Sequence, residues 1–307
     1  MRASQFDWPQ KTQELQNVIL DSTRWNAFKF RDDDVIIGTW AKSGTTLTQQ
    51  IVTQLVFGGP EDIIGIAVSP WIEFRLMPDA VQLAEAQTHR RVLKTHLPLS
   101  ALVFSPKAKY IYIGRDARDV LWSIHHHHSI FTAQAYEAFN SIPDRVGPPL
   151  LPPTPDIRAY YHEWLDRDGY PFWPFWAHVQ SWWNARTLPN VLLLHFADLK
   201  RDLAGEVCRI AEFLDIEVDS KLLTKVLEHC GIEHMRRQAT KVDFLNALFD
   251  GGGNTFINKG TNGRWKDVLS AAEIRKCDEI AARALSPECA LWLRTGDFPQ
   301  PRLDAST

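Results

Sequence analysis

The 307-residue sequence is poor in cysteine and has no long apolar run. None of its four cysteines belongs to a Cys-x-x-Cys pair, and we interpret them as free thiols in a reducing cytoplasm: Cys208, Cys230, Cys277 and Cys289. No stretch approaches the length of a membrane span, and residues 1–9 lack an apolar core of signal-peptide length. We therefore expect a cytoplasmic protein without a membrane partner.

The sequence also has no excess of positive charge. Its 34 lysines and arginines stand against 37 aspartates and glutamates, which gives a formal net charge of −3. This balance gives no support for nucleic acid as a partner, so any anion site must be local. The 12 tryptophans and 16 phenylalanines are more unusual, and those in loop-like stretches are candidates to line an apolar pocket.

The first candidate site is a loop between a strand and a helix. Residues 34–38 are a β-branched apolar run that predicts a buried strand, and apolar residues recur at helical spacing from Leu47 to Val56. At a helix start, backbone N–H groups lack partners, a glycine lets a ligand approach closely, and a lysine adds charge. The segment predicts a cradle for phosphate or sulfate. We call it the Lys42 loop, and it consists of Lys42, Ser43, Gly44, Thr45 and Thr46.

Two other interpretations of the Lys42 loop stay open on this pattern alone. Serine and threonine also cap helices in ordinary tight turns. The second interpretation is the phosphate-binding loop of a nucleoside-triphosphate kinase. The Walker loop of such a kinase has the pattern Gly-x-x-x-x-Gly-Lys-Ser/Thr, whereas Lys42 precedes the only glycine of this loop. No clear magnesium-binding carboxylate stands out either, which weakens the kinase alternative.

A strand, a charged turn and a helix recur at residues 109–123. Residues 109–114 predict a strong strand, Arg115 follows it directly, and Ser123 lies near the start of the next predicted helix. An arginine and a serine in this place can hold a second phosphate through charge-assisted hydrogen bonds. A local pair between Arg115 and Asp119 explains the spacing equally well.

Two further segments offer chemistry. Lys94 and His96 lie at the end of a predicted strand on one face, and a histidine is the usual general base for activating a hydroxyl. A lone histidine is also often an ordinary surface or core residue. Lys259 and Gly260 form a flexible cationic turn that fits an anion contact or a solvated loop.

A run of four histidines, residues 125–128, lies inside the chain in an apparently helical stretch. Its internal position argues against an expression tag. His125 and His128 share a helix face, but no carboxylate set at metal-site spacing accompanies them. We therefore expect no metal site.

Alternating strands and helices favour the α/β class, with one domain over residues 1–307 and a central, mainly parallel sheet flanked by helices. Ligands of such sheets gather at the carboxyl ends of the strands, where the Lys42 loop, His96 and Arg115 would converge. The remaining predictions are a weak helix at 10–30, a buried helix at 173–187, a loop at 250–254 and a final helix at 271–285.

Taken together, the chain resembles the soluble, cytosolic-type sulfotransferases, which use 3′-phosphoadenylyl sulfate (PAPS). The resemblance covers roughly residues 20–300 and implies a P-loop-like sulfotransferase fold that transfers a sulfuryl group to a small-molecule acceptor without a metal. It rests on several motifs in the right order: Lys42–Thr46, Lys94–Pro98, Arg115 with Ser123, Trp176 to Trp183, Asp198–Lys200 and Lys259–Lys266.

The resemblance implies His96 as the general base, with Lys42 and Lys94 supplying positive charge to the reaction. Leu47 and Ile232 depart from the family, because aromatic residues usually flank adenine there, and Asn258 replaces a usual arginine on the 3′-phosphate. The implied cofactor-binding residues are Lys42, Ser43, Gly44, Thr45, Thr46, Leu47, Arg115, Ser123, Phe196, Cys230, Ile232, Asn258, Lys259 and Gly260.

The motifs leave the acceptor open. Aromatic and apolar residues at Trp71, Phe74 and Met77, with a proline-rich excursion at 140–158, predict an apolar pocket with a lid. This favours phenols, alcohols or other lipophilic acceptors. The family's usual dimerisation segment is not recognisable at 266–273, so we expect any homodimer to form by another surface.

A non-catalytic nucleotide-binding protein or scaffold with the same fold is the alternative from another functional class. The presence of both His96 and Lys42 argues against it. Stabilisation by 3′,5′-diphosphoadenosine without turnover of any acceptor would favour it.

Overall fold

Four parallel strands form the centre of the fold. The computed structural model describes residues 6–298, and its strands are β1 (Val35–Thr39), β2 (Val92–Thr95), β3 (Lys109–Gly114) and β4 (Val191–His195). The sheet order is β2-β1-β3-β4, and every neighbouring pair is parallel. The predicted α/β class is confirmed. The predicted domain range of 1–307 also includes residues 1–5 and 299–307, which lie outside the described residues.

Helices connect the strands and cover both faces of the sheet. Within residues 6–298, none of them is long and apolar enough to cross a membrane. Two short 3-10 helices, Ser22–Ala27 and Leu99–Ala101, occur as well. The α-helices are α1 (Thr45–Phe57), α2 (Gly65–Val68), α3 (Ala80–Ala86), α4 (Ala117–Ser129), α5 (Ala133–Asn140), α6 (Ile157–Asp166), α7 (Trp176–Asn184), α8 (Phe196–Arg201), α9 (Leu203–Phe213), α10 (Ser220–His229), α11 (Ile232–Ala239), α12 (Asp243–Leu248), α13 (Gly252–Phe256), α14 (Ala271–Ala284) and α15 (Pro287–Thr295).

Both faces of the sheet are buried, as in other parallel sheets with helices on each side. All five residues of β1 are buried, and their side chains alternate between two cores. Ile36 packs into the core that contains α7 and α15, whereas Val35 and Ile37 pack into the core formed with α1 and α9. The strand therefore reads as a continuous apolar run, and the sequence prediction of a buried strand is confirmed.

The sheet also explains α15, which the sequence analysis did not anticipate. Its Trp292 is fully buried, and a Cβ added at Gly114 of β3 would lie 2.3 Å from that indole. The indole thus occupies the space that a larger strand residue would fill. Ser286 caps the helix and Pro287 occupies its first turn, a favourable N-terminal pattern that follows directly on α14.

The predicted helix at residues 10–30 is wrong, since that range contains only the 3-10 helix Ser22–Ala27. The side-chain oxygen of Asn17 accepts hydrogen bonds from the N–H groups of Ile19 and Leu20, each at 2.8 Å. Such local side-chain bonds compete with helical ones.

Other boundaries also differ from the predictions. The predicted loop at 250–254 contains the start of α13. The predicted helix at 173–187 begins only at Trp176, because Asp168 accepts hydrogen bonds from the N–H groups of Phe175 and Trp176 at its entrance. The predicted helix at 271–285 agrees with α14.

A buried ion pair joins the starts of β1 and β2. The Arg91 guanidinium binds both oxygens of Asp34, with Nε–Oδ1 at 2.6 Å and Nη2–Oδ2 at 2.5 Å. The two side chains are 1% and 0% exposed. The bidentate geometry provides hydrogen bonds to both carboxylate oxygens where water is absent. Removal of either partner would therefore leave the other charge buried without a partner.

Candidate active site

A cavity of about 770 Å³ opens at the carboxyl ends of β1, β2 and β3. Ser43 does not line it and is 2% exposed, while Lys259 is exposed at the surface and lies outside the lining. The cavity brings together most of the residues that the sequence analysis selected: Lys42, Gly44, Thr45, Thr46, Leu47, Lys94, His96, Arg115, Ser123, Phe196, Cys230, Ile232, Asn258 and Gly260.

The Lys42 loop presents free backbone donors to this cavity. Lys42 and Gly44 have positive φ angles of 68° and 125°, and α1 begins at Thr45 without any side-chain cap. A lysine at positive φ is uncommon and is held only by surrounding structure. Because no side chain caps the helix, its first-turn N–H groups remain available to an anion. The helix-capping interpretation of this loop is therefore not what the structure shows.

The cationic side chains of Lys42, Lys94 and Arg115 line the cavity. Burial, together with the charges of Lys94, Arg115 and Arg264, lowers the pKa of Lys42 to about 7. No ion pair with a carboxylate forms at Lys42, Lys94 or Arg115 within the described part of the chain. A cluster of cations without direct carboxylate contacts in this part of the chain fits a multiply charged anion.

Arg115 links the Lys42 loop to the segment at 258–266. Its guanidinium donates to the Lys42 carbonyl at 2.9 Å, the Thr261 carbonyl at 3.0 Å and the Asn262 side-chain oxygen at 3.0 Å. It also lies 4.3 Å from the centre of the Phe196 ring. Burial lowers its pKa to about 10. The guanidinium is therefore fixed at the cavity by neutral partners and keeps its charge for a ligand.

The local Arg115–Asp119 pair left open by the sequence does not form as a contact. Asp119 instead accepts a hydrogen bond from the N–H of Gly263 at 2.6 Å, which anchors the same 258–266 segment to α4. Ser123 lies in the middle of α4, not near its start as predicted, yet it still lines the cavity. The helix α4 thus carries Ser123 and the Asp119 anchor of the covering segment, while Arg115 lies between β3 and the start of α4.

His96 lies directly after β2 and is held as a neutral imidazole. Its Nδ1 lies 2.8 Å from the carbonyl oxygen of Thr39, and because a carbonyl only accepts, Nδ1 carries the proton. The Nε2 atom therefore keeps its lone pair. The pKa of His96 lies well below its usual value because burial and the charges of Lys94 and Lys42 oppose protonation. The geometry suits a base acting through Nε2.

Two indoles and a lysine surround this imidazole. Trp173 stacks on the ring at a centroid distance of 5.6 Å, and Trp71 meets its edge at 4.8 Å. The Lys94 ammonium lies 4.0 Å from the centre of the Trp71 ring. Burial lowers the pKa of Lys94 to about 8. The imidazole and the Lys94 ammonium thus contact the same Trp71 ring.

Glu73 is a site residue that the sequence analysis missed. It is fully buried, and its carboxylate accepts from the His96 N–H at 2.6 Å, the Thr95 hydroxyl at 3.0 Å and the indole N–H groups of Trp71 (2.7 Å) and Trp25 (2.8 Å). Burial raises its pKa. In the sequence, Glu73 is marked only as an acidic residue between apolar neighbours, in a segment that we interpreted as irregular.

The histidine run places one member in the cavity, and the sequence analysis did not single it out. His127 lines the cavity, whereas His125 and His126 contact the Thr154 and Thr255 carbonyl oxygens at 2.9 and 3.3 Å. Across residues 6–298, no three His, Cys, Asp or Glu side chains are grouped as they would be around a metal ion.

The rest of the cavity wall is apolar. Trp71, Phe74 and Met77 line it, as the sequence analysis expected of that segment. Residues 140–158 contribute nothing to the lining within the described structure, so the predicted proline-rich lid is not observed. The aromatic wall is completed instead by Phe131, Phe139, Phe172, Trp173, Phe249 and Phe256.

The fold and site define an α/β protein with uncapped helix N–H groups and clustered cations at a strand–loop–helix turn, beside a neutral histidine. A family model described as the sulfotransferase domain matches residues 32–287, and the chain belongs to this family. A glycolipid sulfotransferase of Mycobacterium tuberculosis (strain ATCC 25177 / H37Ra) is 30% identical over 311 residues, covering 92% of this chain and 94% of the relative. Human sulfotransferase 1E1 is 28% identical over 311 residues, covering 95% of this chain and 99% of the relative.

Solved structures show the same fold. Retinol dehydratase in complex with androsterone and the inactive cofactor PAP has a TM-score of 0.69 at 23% identity, covering 86% of this chain and 84% of that one. Mouse sulfotransferase SULT7A1 complexed with PAP has a TM-score of 0.70 at 22% identity, covering 88% of this chain and 90% of that one. The predicted family, fold and enzyme class are confirmed, and the PAP in both neighbours agrees with PAPS as the sulfate donor of the family.

Proposed function

We propose that this protein transfers a sulfuryl group from PAPS to a hydroxyl, or an amine, of a small lipophilic or phenolic acceptor. His96 is the general base. The observation that carries this proposal is the hydrogen bond from His96 Nδ1 to the Thr39 carbonyl oxygen, because it leaves Nε2 as the proton acceptor inside the cavity.

The residues present fit PAPS, since the uncapped start of α1 and the unpaired cations both call for an anion. The P-loop-like Lys42 loop and the first-turn N–H groups of α1 would hold the phosphosulfate. Arg115 and Ser123 would hold the 3′-phosphate. The adenine would meet mainly apolar groups, and the remaining predicted contacts are Leu47, Phe196, Cys230, Ile232, Asn258 and Gly260.

When bound, PAPS supplies the sulfuryl group, and 3′,5′-diphosphoadenosine (PAP) is the product that leaves. His96 Nε2 removes the acceptor proton as the acceptor oxygen becomes a nucleophile. Lys42 stabilises negative charge that develops on the phosphate oxygen, and Lys94 adds a second fixed positive charge. Arg115 contributes positioning more than chemistry, because its guanidinium is already fixed before the ligand arrives.

The aromatic part of the cavity supports a lipophilic acceptor. The names of similar proteins point the same way: one neighbour was crystallised with androsterone, another with retinol, and the mycobacterial relative is named a glycolipid sulfotransferase. We also propose a cytoplasmic location, supported by four unpaired cysteines of which three are buried. Any homodimer would use a surface other than residues 266–273.

The experiment that tests this function incubates the full chain with ³⁵S-labelled PAPS and a panel of phenols, steroids and long-chain alcohols. Labelled product with at least one acceptor, retained in excess EDTA, supports the proposal. A nucleoside-triphosphate kinase would instead need added magnesium and ATP. PAP binding without transfer to any panel member would favour the non-catalytic alternative and contradict the proposal.

A further inference from the structure

The imidazole of His127 is the part of the histidine run that the proposed reaction does not use. It lies on α4 and is surrounded by phenylalanine rings: Phe249 at a centroid distance of 4.8 Å, Phe131 at 5.2 Å and Phe256 at 5.8 Å. Its Nδ1 lies 3.4 Å from the Lys42 Nζ atom. Its Nε2 has no hydrogen-bond partner among residues 6–298. A polar ring atom thus faces an otherwise aromatic wall.

The contact with Lys42 determines where the His127 proton lies. An ammonium group donates and cannot accept, so a charged Lys42 requires Nδ1 to accept. A bound phosphosulfate would keep Lys42 charged, because a nearby anion favours its protonated form. Burial and the charges of Lys42 and Lys94 hold the pKa of His127 well below its usual value, so the ring is neutral and its one proton lies on Nε2.

The Nε2–H group is therefore a hydrogen-bond donor without a protein partner in the described structure, on a residue that lines the cavity among three phenylalanine rings. An unpaired donor in apolar surroundings is unfavourable, whereas an acceptor molecule with a correctly placed oxygen would satisfy it. His127 is a poor candidate for a second general base, since its only lone pair already faces Lys42.

We propose that His127 is a specificity-determining residue whose Nε2–H donates to a second oxygen of the acceptor, separate from the hydroxyl that receives the sulfuryl group. This inference rests on the proposed function and narrows its substrate class. The preferred acceptor is a lipophilic alcohol or phenol that also carries a carbonyl, ether or hydroxyl oxygen. A pure hydrocarbon alcohol leaves the donor unpaired.

The test measures kcat/KM for two matched pairs of probes that differ by one oxygen. In the first pair, androsterone carries a carbonyl oxygen far from the reacting hydroxyl, and 5α-androstan-3α-ol lacks it. In the second pair, 2-(decyloxy)ethanol carries an ether oxygen near the reacting hydroxyl, and tridecan-1-ol lacks it. The wild type should favour the oxygenated member of at least one pair by roughly 10- to 100-fold. His127→Phe should reduce that preference to about one by lowering kcat/KM for the oxygenated member only, while His127→Gln, which keeps an N–H donor, should restore part of it.

Two controls separate this role from a structural one. PAP affinity should not change in His127→Phe if the Lys42 loop is intact. His125→Phe removes an imidazole from the same helix outside the cavity and should leave both preferences unchanged. An equal loss for both members of each pair in His127→Phe, or a preference that survives it, overturns the proposal.

The outcome also separates this inference from the function on which it rests. If the protein transfers the sulfuryl group to phenols or alcohols but shows no preference for the oxygenated member of either pair, the His127 proposal is overturned and the sulfotransferase proposal stands. Absence of turnover with every acceptor contradicts the proposed function itself, and the inference falls with it.

Discussion

His96 Nδ1 lies 2.8 Å from the carbonyl oxygen of Thr39, the last residue of β1. The same strand end leads into the Lys42 loop three residues later, and the Thr39 hydroxyl also lies 2.7 Å from the Thr45 hydroxyl at the start of α1. One residue thus fixes the tautomer of the base and contacts the anion cradle. The proposed general base and the proposed anion-binding loop are therefore both positioned by contacts with Thr39.

Lys42→Met should lower kcat by about 10²–10³-fold, because it removes the charge that stabilises the leaving phosphate oxygen. The KM for the acceptor should change much less. Steady-state kinetics with labelled PAPS measures both, with Lys107→Met as a control because Lys107 is an exposed surface lysine. A loss confined to KM would contradict a role in the chemical step.

Arg115→Ala should weaken PAP binding by roughly 10- to 100-fold, since a charged hydrogen bond contributes about 1.5–3 kcal/mol. The affinity for 5′-AMP, which has no 3′-phosphate, should stay nearly constant. Isothermal titration with both ligands makes the comparison. An equal loss for the two nucleotides would show that Arg115 acts only by holding the 258–266 segment.

PAP affinity should decrease as the pH rises from 7 to 9. In the free protein the pKa of Lys42 is about 7 and that of Lys94 about 8, so both lysines lose their protons across this window. The bound anion favours the protonated forms, so binding takes up protons above pH 7. Calorimetry in buffers of different ionisation enthalpy measures this uptake, and Lys42→Met should reduce it. Affinity that rises with pH would contradict the charge assignment.

Asp34→Ala should destabilise the fold by about 3–5 kcal/mol, because Arg91 would be left buried and unpaired. The matched control is Asp32→Ala, which breaks the exposed Asp32–Lys107 pair and should change stability by less than about 1 kcal/mol. Chemical denaturation of both variants provides the comparison. Equal effects would show that burial does not decide the strength of these pairs.

The strand-end residues could be predicted from the sequence because their signals are local. A buried strand followed by a glycine-containing loop and an amphipathic helix determines where Lys42 lies, and parallel pairing then places His96 and Arg115 at the same edge. The register of β1 is fixed as well, since a shift by one residue would exchange the side chains that pack into the two cores on either side of the sheet.

The remaining features depend on distant contacts. Glu73 acquires its importance only when Trp25, Trp71 and β2 meet around it. His127 could not be distinguished from its three neighbours, because the rotation of α4 against the cavity is set by packing. The helix α15 depends on the space above Gly114, which no local pattern encodes.

The central claim is that His96 acts as the base, and His96→Ala tests it most directly. Turnover of labelled PAPS with the best panel acceptor should fall by at least about 10²-fold, the usual contribution of general-base catalysis, while the dissociation constant of PAP stays within about twofold of wild type. Near wild-type turnover by the folded variant, with PAP binding intact, would contradict the account.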